Sequence, residues 1–336
     1  MKHNRLTSDN PSLSRATLTA EGCFKAQIAG TCKSDVAGSY VSDQVADLIS
    51  CSISDNTRRA YQADIAHFCS WGGSIPATPS MVADYIAAHA EELAVATLTR
   101  RIATLSKAHE AMSQPNPCRA EIVRATLRGL KRKKGTAQQQ PKPLIREDLF
   151  LLLDSLGQSP GDIRDRALLL LGFAGGFRRS ELTGLRIEDL EAVRQGFIVT
   201  LRKSKSDQEG VGRQIGIPHG RTRHCPVAAI DAWITTAQLA SGPLFRPVSR
   251  HGHVADSPLT GDAVSTILRK RLGHAGLNPL GYSGHSLRAG FATSAAQSGV
   301  PPYKIRAQTG HASDAMLARY IRGAEIFEGN AAGALL

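Results

Sequence analysis

Four separated pieces of this sequence carry side chains able to do chemistry on one kind of group. The first is Gly176-Phe-Arg178-Arg-Ser-Glu181-Leu182, where Arg178 follows the glycines Gly175 and Gly176 and Glu181 stands three residues on, on the same helical face, able to brace a guanidinium. The second is Lys205, at the tip of a predicted hairpin. The third is His285-Ser-Leu-Arg288, whose His and Arg share a face, with Ser283 or Gly284 as a helix start. The fourth is Gly310-His311 followed by Tyr320, in a predicted helix opened by Ser313 and flanked by Arg319 and Arg322. Each piece alone has an ordinary reading. An Arg–Glu pair on a helix is commonly a surface ion pair, a hairpin lysine is commonly solvated, and a tyrosine among apolar residues commonly packs a core.

Taken together, two arginines, two histidines, a lysine and a tyrosine suit phosphodiester transfer. The pentacoordinate phosphorane gathers negative charge on its non-bridging oxygens. Two forked guanidiniums can neutralise that charge through paired hydrogen bonds, in the place metal ions often take. A tyrosine hydroxyl can attack and leave a covalent intermediate. A lysine beside the phosphate can protonate the departing alkoxide. Other signals are weaker. GVGRQIG at 210–216 is not a GxGxxG motif and sits in the hairpin, and no GxxxxGK[ST] loop is present. His251, His253, His219, His224 and Cys225 lack a matching carboxylate or thiolate set for a metal. The expectation is therefore no cofactor and no metal.

These pieces need a scaffold, and the pattern supplies one in two parts. Residues 1–39 are rich in Ser, Thr, Gly and Ala and read as a flexible tail. Residues 40–134 read as helical. Asn56 or Thr57 can cap a segment to Trp71, Thr78-Pro79 opens another through Ala88, Thr97 opens a third, and Glu121 to Lys134 forms a fourth. That fourth segment ends in Lys131-Arg132-Lys133-Lys134, which with Arg100 and Arg101 are the candidate DNA contacts of this half. Residues 135–143 (GTAQQQPKP) are a linker by composition. In residues 144–336, helices over Arg146–Leu156 and Asp162–Phe173 precede two alternating stretches, Gly196–Arg202 and Gly212–Pro218, that predict a β-hairpin. From Val227 the pattern reads helical to near the end.

The net charge of +12 and a pI near 9.7 favour a polyanionic partner. No apolar run reaches the roughly 20 residues that span a bilayer, and Met1 to Ser12 lacks the apolar core of a signal peptide, so the expected place is the cytoplasm, away from membranes. Six scattered cysteines without a CxxC pair read as reduced thiols.

Arg178 in GFRRSEL, Lys205 in SKSDQEG, HSLR, TGH and the tyrosine of ARYIR resemble, in order and spacing, the tyrosine recombinase (phage integrase) family, and the run from Tyr282 to Arg322 is similar to its Cre-type members. The resemblance implies a mainly α fold with a small β-hairpin or sheet in the catalytic domain, two domains forming a C-shaped clamp on DNA. It implies that Arg178 and Arg288 hold the scissile phosphate, Lys205 is the general acid, His285 and His311 contact phosphate oxygens, Tyr320 attacks and Glu181 supports the arginines. Lys203 would face the same side of a strand as Lys205, although the SKSD context favours Lys205. The implied partner is duplex DNA with inverted-repeat half-sites. The implied assembly is a homotetramer on two sites that exchanges strands through a four-way junction, its C-terminal helix docking in trans. A type IB topoisomerase and a non-catalytic DNA-binding regulator are the alternatives.

Overall fold

The structure, a computed structural model, describes residues 42–136, 140–202, 212–311, 313, 315–318 and 320. The chain divides into two compact units, Met1–Gln138 and Gln139–Leu336. The first is helical among the described residues: α1 (Asp43–Cys51), α2 (Asp55–Ser70), α3 (Pro79–Ala88), α4 (Val95–Ala111), a 3₁₀ turn (Pro117–Arg119) and α5 (Glu121–Lys134). The Thr78-Pro79 signal acts as written: the Thr78 hydroxyl accepts from the Met81 N–H and Pro79 takes the first helical position. Two other starts fall earlier than the pattern predicts. Ser54 caps α2 through the Thr57 N–H, and α4 begins at Val95 after Ala94, which offers no side-chain cap. Phe68, Val82, Tyr85, Ile86, Leu98, Leu105 and Val123 close the core of this unit.

The second unit contains α6 (Arg146–Asp154), α7 (Pro160–Ala174), α8 (Arg179–Gly184), a 3₁₀ turn (Ile187–Asp189), strands β1 (Leu190–Val193), β2 (Gly196–Leu201) and β3 (Arg213–Pro218), then α9 (Pro226–Thr236), α10 (Gly261–His274), α11 (His285–Gln297) and α12 (Pro302–Thr309). The two predicted strands pair antiparallel, Phe197 opposite Ile217 and Val199 opposite Ile215. A third strand, β1, adds on the other side of β2. The expectation of continuous helix after Val227 does not hold. Residues 243–258 carry Pro243, Pro247, Gly252 and Pro258, which cannot sustain helical hydrogen bonding, and form two isolated bridges instead, Arg186 with Pro243 and Val248 with Val254.

Helix α7 is the hub. Ala167 to Leu171 are all buried, so no face of its middle meets water and it reads as a central helix. At Gly172 the missing side chain admits close neighbours: a Cβ there would come within 2.8 Å of Leu182 and 2.9 Å of Leu287. Gly172 thus lets α8, which starts beside Arg178, and α11, which carries His285 and Arg288, crowd the same end of α7.

Candidate active site

Five of the six expected catalytic side chains are described, and they lie together. Lys205 and Lys203 fall outside the described residues, as do Arg319 and Arg322. Arg178 stands at the N-cap of α8. Its backbone N–H donates to Glu181 Oε2 (2.8 Å) and its Nη1 to Glu181 Oε1 (2.5 Å), so one carboxylate fixes both the helix start and the guanidinium. Glu181 itself is buried. Arg178 Nη2 reaches across to the Gly310 carbonyl at 3.1 Å.

Arg288, on α11, is 1% exposed. Its Nη1 donates to the Gly176 carbonyl (2.8 Å) and to the Thr309 carbonyl. Burial and the repulsion of Arg178 bring its pKa down to about 10, still charged near neutrality. Tyr320 is among the groups whose charge acts on it.

His285 Nε2 and the Tyr320 hydroxyl are 2.6 Å apart. Burial first, then the arginines Arg288, Arg178 and Arg179, lower the His285 pKa, so at neutral pH the ring is uncharged and has a lone pair to offer. Tyr320 packs against the small cluster of Ala292, Ile305 and Leu317. Residues 315–318 and 320 are helical, and the Met316 N–H donates to the Ser313 carbonyl (3.2 Å), which places Ser313 at the opening of that segment.

His311 follows Gly310, which ends α12 in the left-handed region at φ 64° and ψ 45°, a conformation glycine takes without strain. The turn aims the imidazole back to the site. His311 Nδ1 lies 2.8 Å from the Thr309 hydroxyl, and its ring sits 5.7 Å from that of Tyr320. Burial and the surrounding arginines, Arg288 first, take its pKa to about 3, so it is neutral at working pH.

One residue of the cluster went unnoticed in the sequence. Arg213 opens β3, and its Nη1 donates to the carbonyls of Gln308 (3.1 Å) and Ala307 (3.4 Å). Its Nη2 lies 3.6 Å from Glu181 Oε2. A signal for it existed: strand alternation puts Arg213 on the face of Ile215 and Ile217, which are buried, and a charge on the buried face of a strand requires a partner. Gln308 also spans elements, its Nε2 donating to the carbonyls of Ala174 (3.0 Å) and Gly216 (3.3 Å).

Residues 144–325 match the phage integrase family, and residues 45–114 match the phage integrase N-terminal SAM-like domain. The chain is 40% identical over 290 residues to the integrase/recombinase XerD homolog of Selenomonas ruminantium, covering 83% of this chain and 85% of the relative. The chain belongs to the phage integrase family. It is a tyrosine recombinase, an enzyme of site-specific DNA recombination. The likeness to Cre is looser: the Escherichia phage P1 recombinase is 25% identical over 267 residues, covering 74% of this chain and 76% of that one. The same fold occurs in lambda integrase residues 75–356 bound to DNA (TM-score 0.61, 20% identity, covering 83% of this chain and 92% of that one). It occurs also in XerH bound to its difH substrate after cleavage (TM-score 0.60, 19% identity, covering 87% and 83%).

In the N-terminal unit of the recombinase, the candidate DNA contacts occupy differing surroundings. Arg101 points inward: its side chain is 13% exposed, with Nη1 donating to the Tyr85 hydroxyl at 2.9 Å. Arg100 is 48% exposed and pairs with the buried Asp64 at 2.6 Å. On α5, Arg132 is exposed and Lys131 half-buried, while Lys133 and Lys134 both pair with Glu91, at 3.2 and 3.4 Å. No described helix is long and apolar enough to cross a membrane.

Proposed function

We propose that this recombinase cuts and rejoins duplex DNA through a 3′-phosphotyrosine bond made by Tyr320. The observation that carries the reading is the 2.6 Å contact between the Tyr320 hydroxyl and a neutral His285, beside two guanidiniums already locked in place. The Tyr320 oxygen forms the new bond to phosphorus as its proton passes to His285 Nε2. Arg178 and Arg288 hold the non-bridging oxygens as their charge grows. His311, its Nδ1 held 2.8 Å from the Thr309 hydroxyl, contacts a further phosphate oxygen. The bond to the 5′ oxygen breaks, and Lys205 supplies the proton that turns it into a free hydroxyl. A 5′ hydroxyl from another strand then reverses the steps. The phosphotyrosine conserves the bond energy, so no ATP enters the cycle.

In this reading both units bind duplex DNA carrying inverted-repeat half-sites. Lys131, Arg132, Lys133, Lys134 and Arg100 take backbone phosphates, and four copies on two sites exchange strands through a four-way junction. Of the structural relatives, lambda integrase occurs as a tetramer bound to a Holliday junction. The segment after Gly323, outside the described residues, docks into a neighbouring copy.

The test is a duplex carrying the target site, nicked so that cleavage traps the adduct. The wild-type protein accumulates a covalent protein–DNA band; Tyr320→Phe, which loses only the hydroxyl, binds as well and gives none. An adduct that survives in Tyr320→Phe would mean another nucleophile, and the reading would fall.

A further inference from the structure

The carbonyls that end α12 face a row of guanidiniums. Ala307 and Gln308 accept from Arg213, Thr309 from Arg288, Gly310 from Arg178 and His311 from Arg306. The last carbonyls of a helix lack intrahelical donors and carry the negative end of its dipole. They can therefore hold cations without cancelling a full charge. Glu181 is different. It is a whole negative charge, buried, and it lies against both Arg178 (2.5 Å) and Arg213 (3.6 Å).

Among the described residues the charges at this centre are Arg178, Arg288 and Arg213 against Glu181, with His285 and His311 neutral before the tyrosine proton moves; Lys205, assigned above to the leaving oxygen, lies outside them. Without Arg213, Glu181 would offset one of the two phosphate-facing guanidiniums, leaving a net of one positive charge. With Arg213 the net is two. The reacting phosphate draws on both phosphate-facing guanidiniums: the diester carries one negative charge, and a second builds on its non-bridging oxygens as the phosphorane forms, while the tyrosine proton rests on His285. The geometry points to Arg213 as a positioning and charge-balancing residue that absorbs the charge of Glu181, so that Arg178 and Arg288 both remain available to the transition state. This inference rests on the phosphotyrosine reading above.

Two further features agree. Arg213 is partly buried, and its Nε and Nη2 have no hydrogen-bond partner among the described residues, a costly arrangement for a residue that only joins two elements. Gly310, whose carbonyl Arg178 holds, lies so close to the Arg213 guanidinium that a Cβ there would run into it. The same guanidinium therefore shapes the turn that aims His311.

The experiment compares the rate of adduct formation on two nicked duplexes, one with an ordinary scissile phosphate and one with a methylphosphonate there, which lacks the negative charge. Arg213→Gln should slow cleavage of the phosphate by roughly ten- to a hundredfold, less than the roughly hundred- to thousandfold that follows loss of a donor touching the transition state. On the methylphosphonate its deficit should shrink to a few-fold. Because the readout is a ratio within one protein preparation, partial misfolding cancels. Arg213→Lys, which keeps the charge but not the fork, should retain most activity on phosphate. The double variant Glu181→Gln/Arg213→Gln, which restores a net of two, should be faster than Arg213→Gln alone. Equal deficits on both duplexes, or a double variant as slow as Arg213→Gln, would overturn the charge role. Absence of adduct in the wild type would instead sink the phosphotyrosine reading, so the two failures are distinct.

Discussion

Both units of this protein bury a carboxylate among arginines, and they do so to different ends. In the N-terminal unit Asp64, 3% exposed, accepts from Arg100 (2.6 Å) and Thr104 (2.9 Å) and lies 3.6 Å from Arg101. Arg101 Nη1 donates to the Tyr85 hydroxyl, which also meets His67 Nδ1 at 2.9 Å. That network turns inward and joins α2, α3 and α4. In the catalytic unit two guanidiniums, Arg178 and Arg213, share Glu181, and Arg288 is held by the carbonyls of Gly176 and Thr309. An arginine held by a carboxylate is largely neutralised, whereas one held by carbonyls is immobilised with its charge intact. The first arrangement suits a scaffold and the second suits a site that must meet a doubly negative transition state.

Substitutions can separate the two. The largest effect is expected from Arg178→Ala and Arg288→Ala, each cutting adduct formation by about a hundred- to a thousandfold, as for loss of one transition-state donor. DNA binding, spread over many phosphate contacts, should change far less in a gel-shift titration. Equal losses of binding and cleavage would show that these arginines hold the duplex rather than the reacting phosphate. Next comes Asp64→Asn. It leaves Arg101 and Thr104 poorly partnered inside the N-terminal unit and should lower stability by about 2 kcal/mol, read from the urea midpoint. Cleavage at saturating protein should stay near wild type; a catalytic defect as deep as that of Arg288→Ala would erase the distinction.

The smallest effect is in pH. His311, with a pKa near 3, stays neutral as pH falls through the ordinary histidine range, and burial beside the arginines puts the protonation of His285 below the ordinary histidine value. Single-turnover cleavage should therefore pass its half-maximum below the ordinary histidine value of 6.5. The decline follows protonation of His285, which removes the acceptor for the tyrosine proton. A half-maximal rate at the ordinary histidine value would mean that His285 is not poised as described.

Much of the site was legible in the sequence because its parts lie in short local motifs. HSLR and TGH each occupy one turn or cap, and Arg178 with Glu181 forms a reciprocal cap whose i, i+3 spacing is visible in the letters. Helix starts were legible where a cap hydroxyl and a proline coincide, as at Thr78-Pro79, and slipped where a cap is absent, as at Ala94. Arg213 was not legible in the same way. Its partners, Glu181, Ala307 and Gln308, are far away in the chain, and two of them take part only through their carbonyls, which every residue possesses. Only its place on the buried face of β3 marks it. Strand β1 was missed because Leu190–Val193 is four residues long and only half-buried, too short for alternation to register.

The row of carbonyls at the end of α12 has a consequence for variation and engineering. A main-chain oxygen survives any single amino-acid exchange, so the anchor that Ala307, Gln308 and Thr309 offer these arginines is written in the path of the backbone; of the four positions only Gly310 depends on its residue type. Tyr303, 68% exposed, and its exposed neighbour Lys304 sit on that helix and can be exchanged for dyes, tags or new contacts while the anchor stays whole. What the arrangement does not tolerate is a change of length: one residue inserted between 302 and 309 would rotate the helix end by about 100° and present each arginine with the wrong oxygen.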